Sequence, residues 1–185
     1  MRKGTKKDQE IAVDIITKSF KDNLSVQYVA GKNINSIKKL VEYSFFQAIN
    51  FGEVIFNDEK TACCFIIDPT KKRTTFNSII WDIKLLFSVI GLLNVSKVLK
   101  KEKIVEENHS ENEDYLHLWY IGVVPEKQGK GIGTKLLNDI QEHYNKPIYL
   151  ETSMVDNVPF YTKNKFELYN EHDFGFTMYM FKYLK

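Results

Sequence analysis

The sequence predicts an α/β or α+β layered domain around one mixed sheet. Three observations carry this. Two segments with helical spacing of apolar residues open the chain, and a β-rich pair, Glu53–Phe56 and Thr61–Ile67, follows around the turn Asn57-Asp58-Glu59-Lys60. The C-terminal part then alternates strand, helix, strand, short helix and two strands, which needs crossover as well as hairpin connections. At 185 residues a single domain over 1–185 is expected, large enough for a real core, with no repeat or linker.

The elements follow in order. Asp8–Lys21 carries Ile11, Ile15, Ile16 and Phe20 at helical spacing, with Asp8 placed to cap the start. Asn23–Lys32 reads as a loop or short turn. Asn33 or Asn35 caps a second helix whose apolar face uses Ile37, Leu40, Val41, Ser44, Phe45, Ala48 and Ile49, and Gly52 ends it. After the hairpin, Pro69 stops the strand, and Thr74 or Asn77 opens a long helix running to about Lys101. Within it, Phe76–Leu99 is rich in Ile, Leu, Val and Phe. Its uncharged run, Leu85–Ser96, is too short to span a bilayer, so a mostly buried helix is expected, with a partner-binding or dimer face as the alternative. Lys101–Asp114 is a charged break, and His109 within it reads as exposed. Tyr115–Val124 is an apolar and aromatic strand ended by Pro125; a glycine-rich loop and a helix from Thr134 follow. Ile148–Thr152, Phe166–Tyr169 and Phe176–Tyr183 are strands, and Val158–Lys163 is a short helix.

Composition narrows the function classes. The chain is 43% hydrophobic and 27% charged, and its net charge of +2 gives no argument for nucleic acid or an anionic membrane as partner. Met1–Lys7 is basic without the apolar segment of a signal peptide and reads as a solvated tail. Cys63 and Cys64, the only cysteines, are adjacent in an apolar run. They read as small core or half-core residues of a reducing, intracellular, cytoplasmic setting, with no Cys/His pattern for a metal.

The chemistry concentrates in Tyr115–Tyr144. Gln128-Gly129-Lys130-Gly131-Ile132-Gly133 packs three glycines into six residues just ahead of a helix, and such a loop presents bare amides and a helix dipole to an anion. A pyrophosphate-bearing ligand follows. The nucleotide-hydrolase loop requires a Gly five residues before a Gly-Lys-Ser/Thr, which is missing. The dinucleotide fingerprint fails because Thr134 stands where its last glycine would fall.

What does match is Q-x-x-G-x-G at Gln128, Gly131 and Gly133, after Val123-Val124-Pro125 at the end of an apolar strand. Tyr149-Leu150-Glu151-Thr152-Ser153, Asn157-Val158-Pro159-Phe160-Tyr161 and Phe166 follow downstream. Over Tyr115–Tyr169 the chain resembles the GCN5-related N-acetyltransferases (GNAT). The resemblance implies a mixed, mostly antiparallel sheet flanked by helices. That sheet is splayed between the strand ending near Val124 and the strand Ile148–Thr152. It also implies an acceptor-side half, 1–114, and a catalytic half, 115–185, that binds acetyl-CoA.

On that resemblance, amides of Gln128, Gly129, Lys130, Gly131, Ile132, Gly133 and Thr134 hold the coenzyme A pyrophosphate. Strand backbone at Ile121, Val123 and Val124 takes the pantetheine arm, with the Val123 amide polarising the thioester carbonyl. Asn157 and Phe160 border the cofactor, and Tyr161 is the general acid. His117 occupies a position where some family members carry a base, on a strand face shared with Trp119 and Ile121. Glu151 competes for that role, and a water chain with no dedicated base stays open. The chain departs from the family at Asn164-Lys165, where a glycine is usual; Asn164 is expected to supply the left-handed turn. The implied activity is acetyl transfer from acetyl-CoA to the amine of a small molecule or peptide. A hydrophobic or aromatic amine is suggested by the apolar N-terminal half, and the protein is expected to be a monomer or homodimer without metal. The alternative is a non-catalytic acyl-CoA-binding sensor.

Overall fold

A computed structural model of the chain describes residues 1–91, 94–109 and 114–185. In chain order these form β1 (Arg2–Lys3), α1 (Gln9–Phe20), α2 (Leu24–Ala30), α3 (Ile34–Phe51), β2 (Gly52–Phe56), β3 (Ala62–Ile67), α4 (Phe76–Leu85) and α5 (Val95–Asn108). The second half adds β4 (Leu116–Val123), α6 (Ile132–His143), β5 (Ile148–Thr152), α7 (Val158–Lys163), β6 (Glu167–Asp173) and β7 (Thr177–Tyr183). The seven strands form one sheet in the order β1-β2-β3-β4-β5-β7-β6, antiparallel except for β4 beside β5.

Each sheet face buries its own core. On one, Ile15, Ile16, Ile37, Val41 and Phe45 of α1 and α3 pack on Val54, Phe56, Cys63, Phe65 and Tyr120. On the other, Leu136, Leu137 and Ile140 of α6 and Tyr161 of α7 pack on Ile55, Cys64, Ile66, Leu118, Leu150 and Phe181. Strands buried on both faces read as continuous apolar runs, and β3 (ACCFII) is buried at every position. Cys63 and Cys64 are free and buried, which agrees with their reading as core residues.

The register of β3 with β4 skips one residue. Phe65 opposes Tyr120 and Ile66 opposes Leu118, so Trp119 is an extra residue in a β-bulge. The bulge reverses the inside-outside alternation of β4. Leu116 and Leu118 face the α6 core, Trp119 and Tyr120 both face the α1–α3 core, and Ile121 and Val123 return to the α6 side.

Several expectations need correction. Met1–Lys7 is not a free tail: Arg2 and Lys3 pair with Phe56 and Ile55 at the sheet edge. Asn23–Lys32 contains a helix, capped by the Asn23 side chain accepting from the Val26 amide (3.0 Å). Of the two offered caps for α3, Asn33 is the one used, as expected, with its side chain accepting from the Asn35 and Ser36 amides. Asp8 makes no side-chain cap on α1 but accepts from Thr5 across the preceding 3-10 turn. The long helix is two helices. Thr75 caps α4, and a π-turn over Leu86–Ile90 ends at Gly91, whose φ of +69° breaks the helix before α5. Leu92 and Leu93 of the expected helix, and 110–113 of the expected charged break, lie outside the described residues. The rest of that break is helical to Asn108, because Val98, Lys101 and Val105 form a buried stripe. The left-handed turn after α7 falls on Lys165 (φ +67°), not on Asn164 (φ −93°). Asn164 instead stops the helix by donating its side-chain amide to the Phe160 carbonyl (2.7 Å). β6 runs four residues beyond the expected Tyr169 end.

Candidate active site

The site starts from a fault in the sheet. β4 and β5 pair only at Leu116–Ile148 and His117–Tyr149, near their N-terminal ends, and no pairing joins them beyond. The Val124 amide donates to the Thr61 carbonyl (2.9 Å), which fixes the phase of the β3–β4 ladder. By alternation, the N–H and C=O groups of Ile121 and Val123 point away from β3, into the gap beside β5. The Val123 carbonyl accepts from Ser19 Oγ (2.8 Å) and Gln128 Nε2 (3.0 Å), which agrees with this orientation. Gly122 lets α1 approach closely enough for the Ser19 contact. A Cβ there would lie 3.0 Å from both Ile16 Cδ1 and Ser19 Oγ.

The gap opens into a cleft of about 540 Å³ lined by Ile121 and Val123 of β4, the loop from Lys127, and Asn157, Phe160 and Tyr161. Gly129 and Gly131 take φ values of +73° and +76°, a backbone region costly to other residues, and this requirement explains two of the three glycines. Gly131 caps α6 without a side chain, and the first intrahelical bond is made by the Lys135 amide to the Gly131 carbonyl. The amides of Ile132, Gly133 and Thr134 are therefore orphans of the first turn, at the positive end of the helix dipole and beside the cleft. Asn157 precedes α7 but makes no side-chain cap; its amide donates to Thr152 Oγ1 (3.2 Å). Two of the cofactor-binding candidates fall outside the cleft lining. The Val124 amide is spent on Thr61, and Lys130 Nζ turns back to the Glu126 carbonyl (3.2 Å).

Tyr161 is buried among Phe160, Phe166 and Phe181, with the ring centroid of Phe181 5.4 Å away. Burial first, and then the Glu151 carboxylate, hold its phenol well above the ordinary tyrosine value, so it stays protonated at neutral pH.

On the opposite sheet face, three side chains from three elements converge. Glu151 of β5 meets His109 Nε2 through Oε1 (2.7 Å) and His117 Nε2 through Oε2 (2.7 Å). His109 Nδ1 lies 3.0 Å from the Tyr115 hydroxyl. The proton assignment that satisfies all three contacts has both Nε2–H groups donating to the carboxylate and Tyr115 donating to His109 Nδ1. That leaves the His117 Nδ1 lone pair without a hydrogen bond among the described residues. Burial alone would raise the Glu151 carboxyl. The two imidazoles outweigh it and hold the group below the usual carboxylate range. Burial, and then Glu151, raise the Tyr115 phenol, which keeps it a donor.

Two expectations change here. His109 is buried, not exposed, and joins the cluster from the C-terminal end of α5. The bulge leaves His117 beside Trp119 (ring centroids 6.4 Å apart) but turns Ile121 to the other face. His117, Trp119 and Glu151 line a small cavity of about 70 Å³ with Val26, Leu40 and Met178. Phe20 and Asn23 line both this cavity and the cleft. The α1–α2 junction, absent from the sequence-based site, thus separates them. It is held there by Ser153 Oγ, which donates to Asn23 Oδ1 (3.1 Å) and accepts from the Ser25 amide (3.0 Å).

The donor atoms of His109, His117 and Glu151 all lie within 4.8 Å of one another, a set that a transition metal can use. The two 2.7 Å contacts are shorter than the roughly 3.3 Å between ligands of a tetrahedral metal, and fit hydrogen bonds better.

Residues 97–168 match the family model of the acetyltransferase (GNAT) domain. No curated protein sequence matches. Among solved structures, the chain is similar to the histone acetyltransferase HPA2 and related acetyltransferase of Corynebacterium glutamicum. The identity is 16% and the TM-score 0.62, over 99% of this chain and 94% of that one. It is also similar to arylalkylamine N-acetyltransferase 2 of Aedes aegypti, with 8% identity and TM-score 0.65 over 99% and 97% of the two chains. An N-acetyltransferase of Staphylococcus aureus shares 14% identity at TM-score 0.58 over 98% of each chain. At these identities the likeness shows the fold: a mixed, mostly antiparallel sheet with helices on both faces.

Proposed function

We propose, on the premise that this chain carries a GNAT acetyltransferase domain, that it transfers acetyl from acetyl-CoA directly to the primary amine of a small molecule or peptide. The observation that carries the reading is the continuity of donors along one cleft. The amides of Ile121 and Val123 face the gap, and the orphan amides of α6 stand further along it. Pantetheine extends the broken sheet at β4, and the pyrophosphate sits on the helix N-terminus.

The acetyl carbonyl oxygen takes the Val123 amide, which stabilises the charge that develops there. His117 Nδ1 accepts the proton of the attacking amine, the C–N bond forms, and the C–S bond breaks. Tyr161 gives its proton to the departing thiolate. Base and acid lie on opposite faces of the sheet, in the two cavities that the α1–α2 junction separates. Glu151 and His109 are positioning residues that fix the His117 tautomer. The second cavity has room for about two waters by liquid volume, so a small amine, or α1–α2 movement, is needed for the acceptor. Its apolar wall of Val26, Leu40 and Trp119 favours an amine with an apolar body.

Calorimetry with acetyl-CoA and a thiol-release assay over an amine panel test this. Micromolar binding with turnover on at least one amine is expected. Binding without turnover across the panel supports an acyl-CoA sensor instead, and absence of binding removes both readings.

A further inference from the structure

The active site leaves α4 unexplained. Its inner side packs: Leu85 and Val89 of the following turn lie against the α1–α3 core, and Trp81 stacks on Phe46 with centroids 5.1 Å apart. Its outer side is also apolar. Phe76, Ile79, Ile80, Ile83 and Phe87 are all exposed, Phe76 by 77% and Phe87 by 70%. At 100° per residue these five fall within an arc of about 100°, a continuous stripe of the kind that marks a contact surface.

Charge selects the occupant. Lys71, Lys72 and Arg73 stand exposed just before Phe76, and Lys84 is exposed within α4. From 71 to 103 the sequence holds eight lysine or arginine residues against two acidic ones, a net +6, so the remaining chain carries −4. A second copy related by a two-fold axis would bring like charges together. An anionic lipid surface is complementary to both the stripe and its basic flank.

We propose that α4 docks in the plane of an anionic membrane, with Phe76, Ile83 and Phe87 entering the acyl boundary and Lys71, Lys72 and Arg73 meeting lipid phosphates. No single helix among the described residues is long and apolar enough to cross a membrane. The bent pair, Phe76–Ile90 with Val95–Asn108 at 118°, meets a span's length and composition only jointly. Leu85, Val89, Val98 and Val105 of that pair are turned inward on the domain, so it lies on a bilayer and does not cross it. The overall +2 conceals this surface because it averages a segregated distribution. The proposal does not depend on the acetyl-transfer reading.

Co-sedimentation of the full chain with vesicles tests it. One set is phosphatidylcholine alone, and the other is equal parts phosphatidylcholine and phosphatidylglycerol. Binding to the mixed vesicles is expected, weakening as salt rises. Lys72→Glu with Arg73→Glu lowers partitioning by roughly 30-fold or more, and Ile83→Asp by roughly 10- to 100-fold. Both variants should keep the wild-type melting temperature, since the substituted side chains are exposed. The proposal is overturned if the chain stays in the supernatant or binds neutral vesicles as strongly. A concentration-dependent dimer that Ile83→Asp dissolves also overturns it, and assigns the stripe to a second copy.

Discussion

Glu151→Gln is the most discriminating substitution, because a near-isosteric change removes one charge and one acceptor from a closed set of hydrogen bonds. In the wild type, Glu151 accepts from His109 and His117 at 2.7 Å each. In the proposed mechanism His117 takes the amine proton, and its imidazolium then faces that carboxylate directly. A unit-charge pair at such range is worth about 4 kcal/mol at an effective dielectric near 20. A neutral amide forfeits most of this. Its NH₂ also forces one imidazole to present a lone pair at Nε2, and if that ring is His117 its Nδ1 becomes protonated. The expected outcome is a kcat lower by roughly 10²–10³-fold, with the acetyl-CoA Kd unchanged because the amide cradle is untouched. Stopped-flow thiol release and calorimetry on the same preparation measure the two separately. A kcat within about threefold of wild type would refute the positioning role. Stability carries an independent signature. Since the folded carboxyl lies below its usual value near 4.5, its contribution is complete above that value. It is lost as pH falls toward the folded pKa. Wild-type melting temperature should therefore drop on acidification below about 4.5, and the Gln variant should show a shallower acid limb.

Tyr161→Phe should lower kcat by roughly 10²–10⁴-fold with the fold intact, because its ring packs on Phe160, Phe166 and Phe181 and the hydroxyl makes no hydrogen bond among the described residues; an unchanged rate removes it as the acid. Gly131→Ala places a Cβ at φ +76°, and should cost about 1–2 kcal/mol in denaturant unfolding and weaken acetyl-CoA binding. Asn23→Ala removes the α2 cap and the Ser153 contact, so about 1 kcal/mol of stability should be lost. Its amine KM should rise more than its acetyl-CoA Kd, since Asn23 stands between the two cavities; equal effects would count against that placement.

Much of the proposed cofactor side was legible because it is local. Gln128, Gly129, Gly131 and the start of α6 lie within a dozen residues, and their roles follow from backbone φ and helix-end amides. Spacing along the resembled motif singled out Tyr161 and Asn157, and the structure places both in the cleft lining, on the short run after β5. The β2–β3 hairpin was likewise readable, from a turn between two β-rich runs.

The acceptor side was not, and the reasons are physical. His109 sits among charged residues and reads as solvent-exposed in any local window. Extending the buried stripe Val98, Lys101, Val105 by one further turn does reach it, but its bond to Glu151 crosses 42 positions and appears only on folding. The bulge at Trp119 depends on the register of β4 against β3, a pairing decided by two strands together. It reverses which face the later β4 residues occupy, so strand alternation alone placed Ile121 beside His117. The α4 stripe shows the same limit. Hydrophobic period says that a face seeks a partner, and tertiary packing decides whether the domain supplies one. Sequence by itself determined the sheet-and-helix class and the glycine loop with its helix-end amides, because those rest on local pattern and backbone conformation. The convergence of His109, His117 and Glu151, and the apolar face left uncovered on α4, were decided by the tertiary structure, because they rest on contacts between elements far apart in the chain.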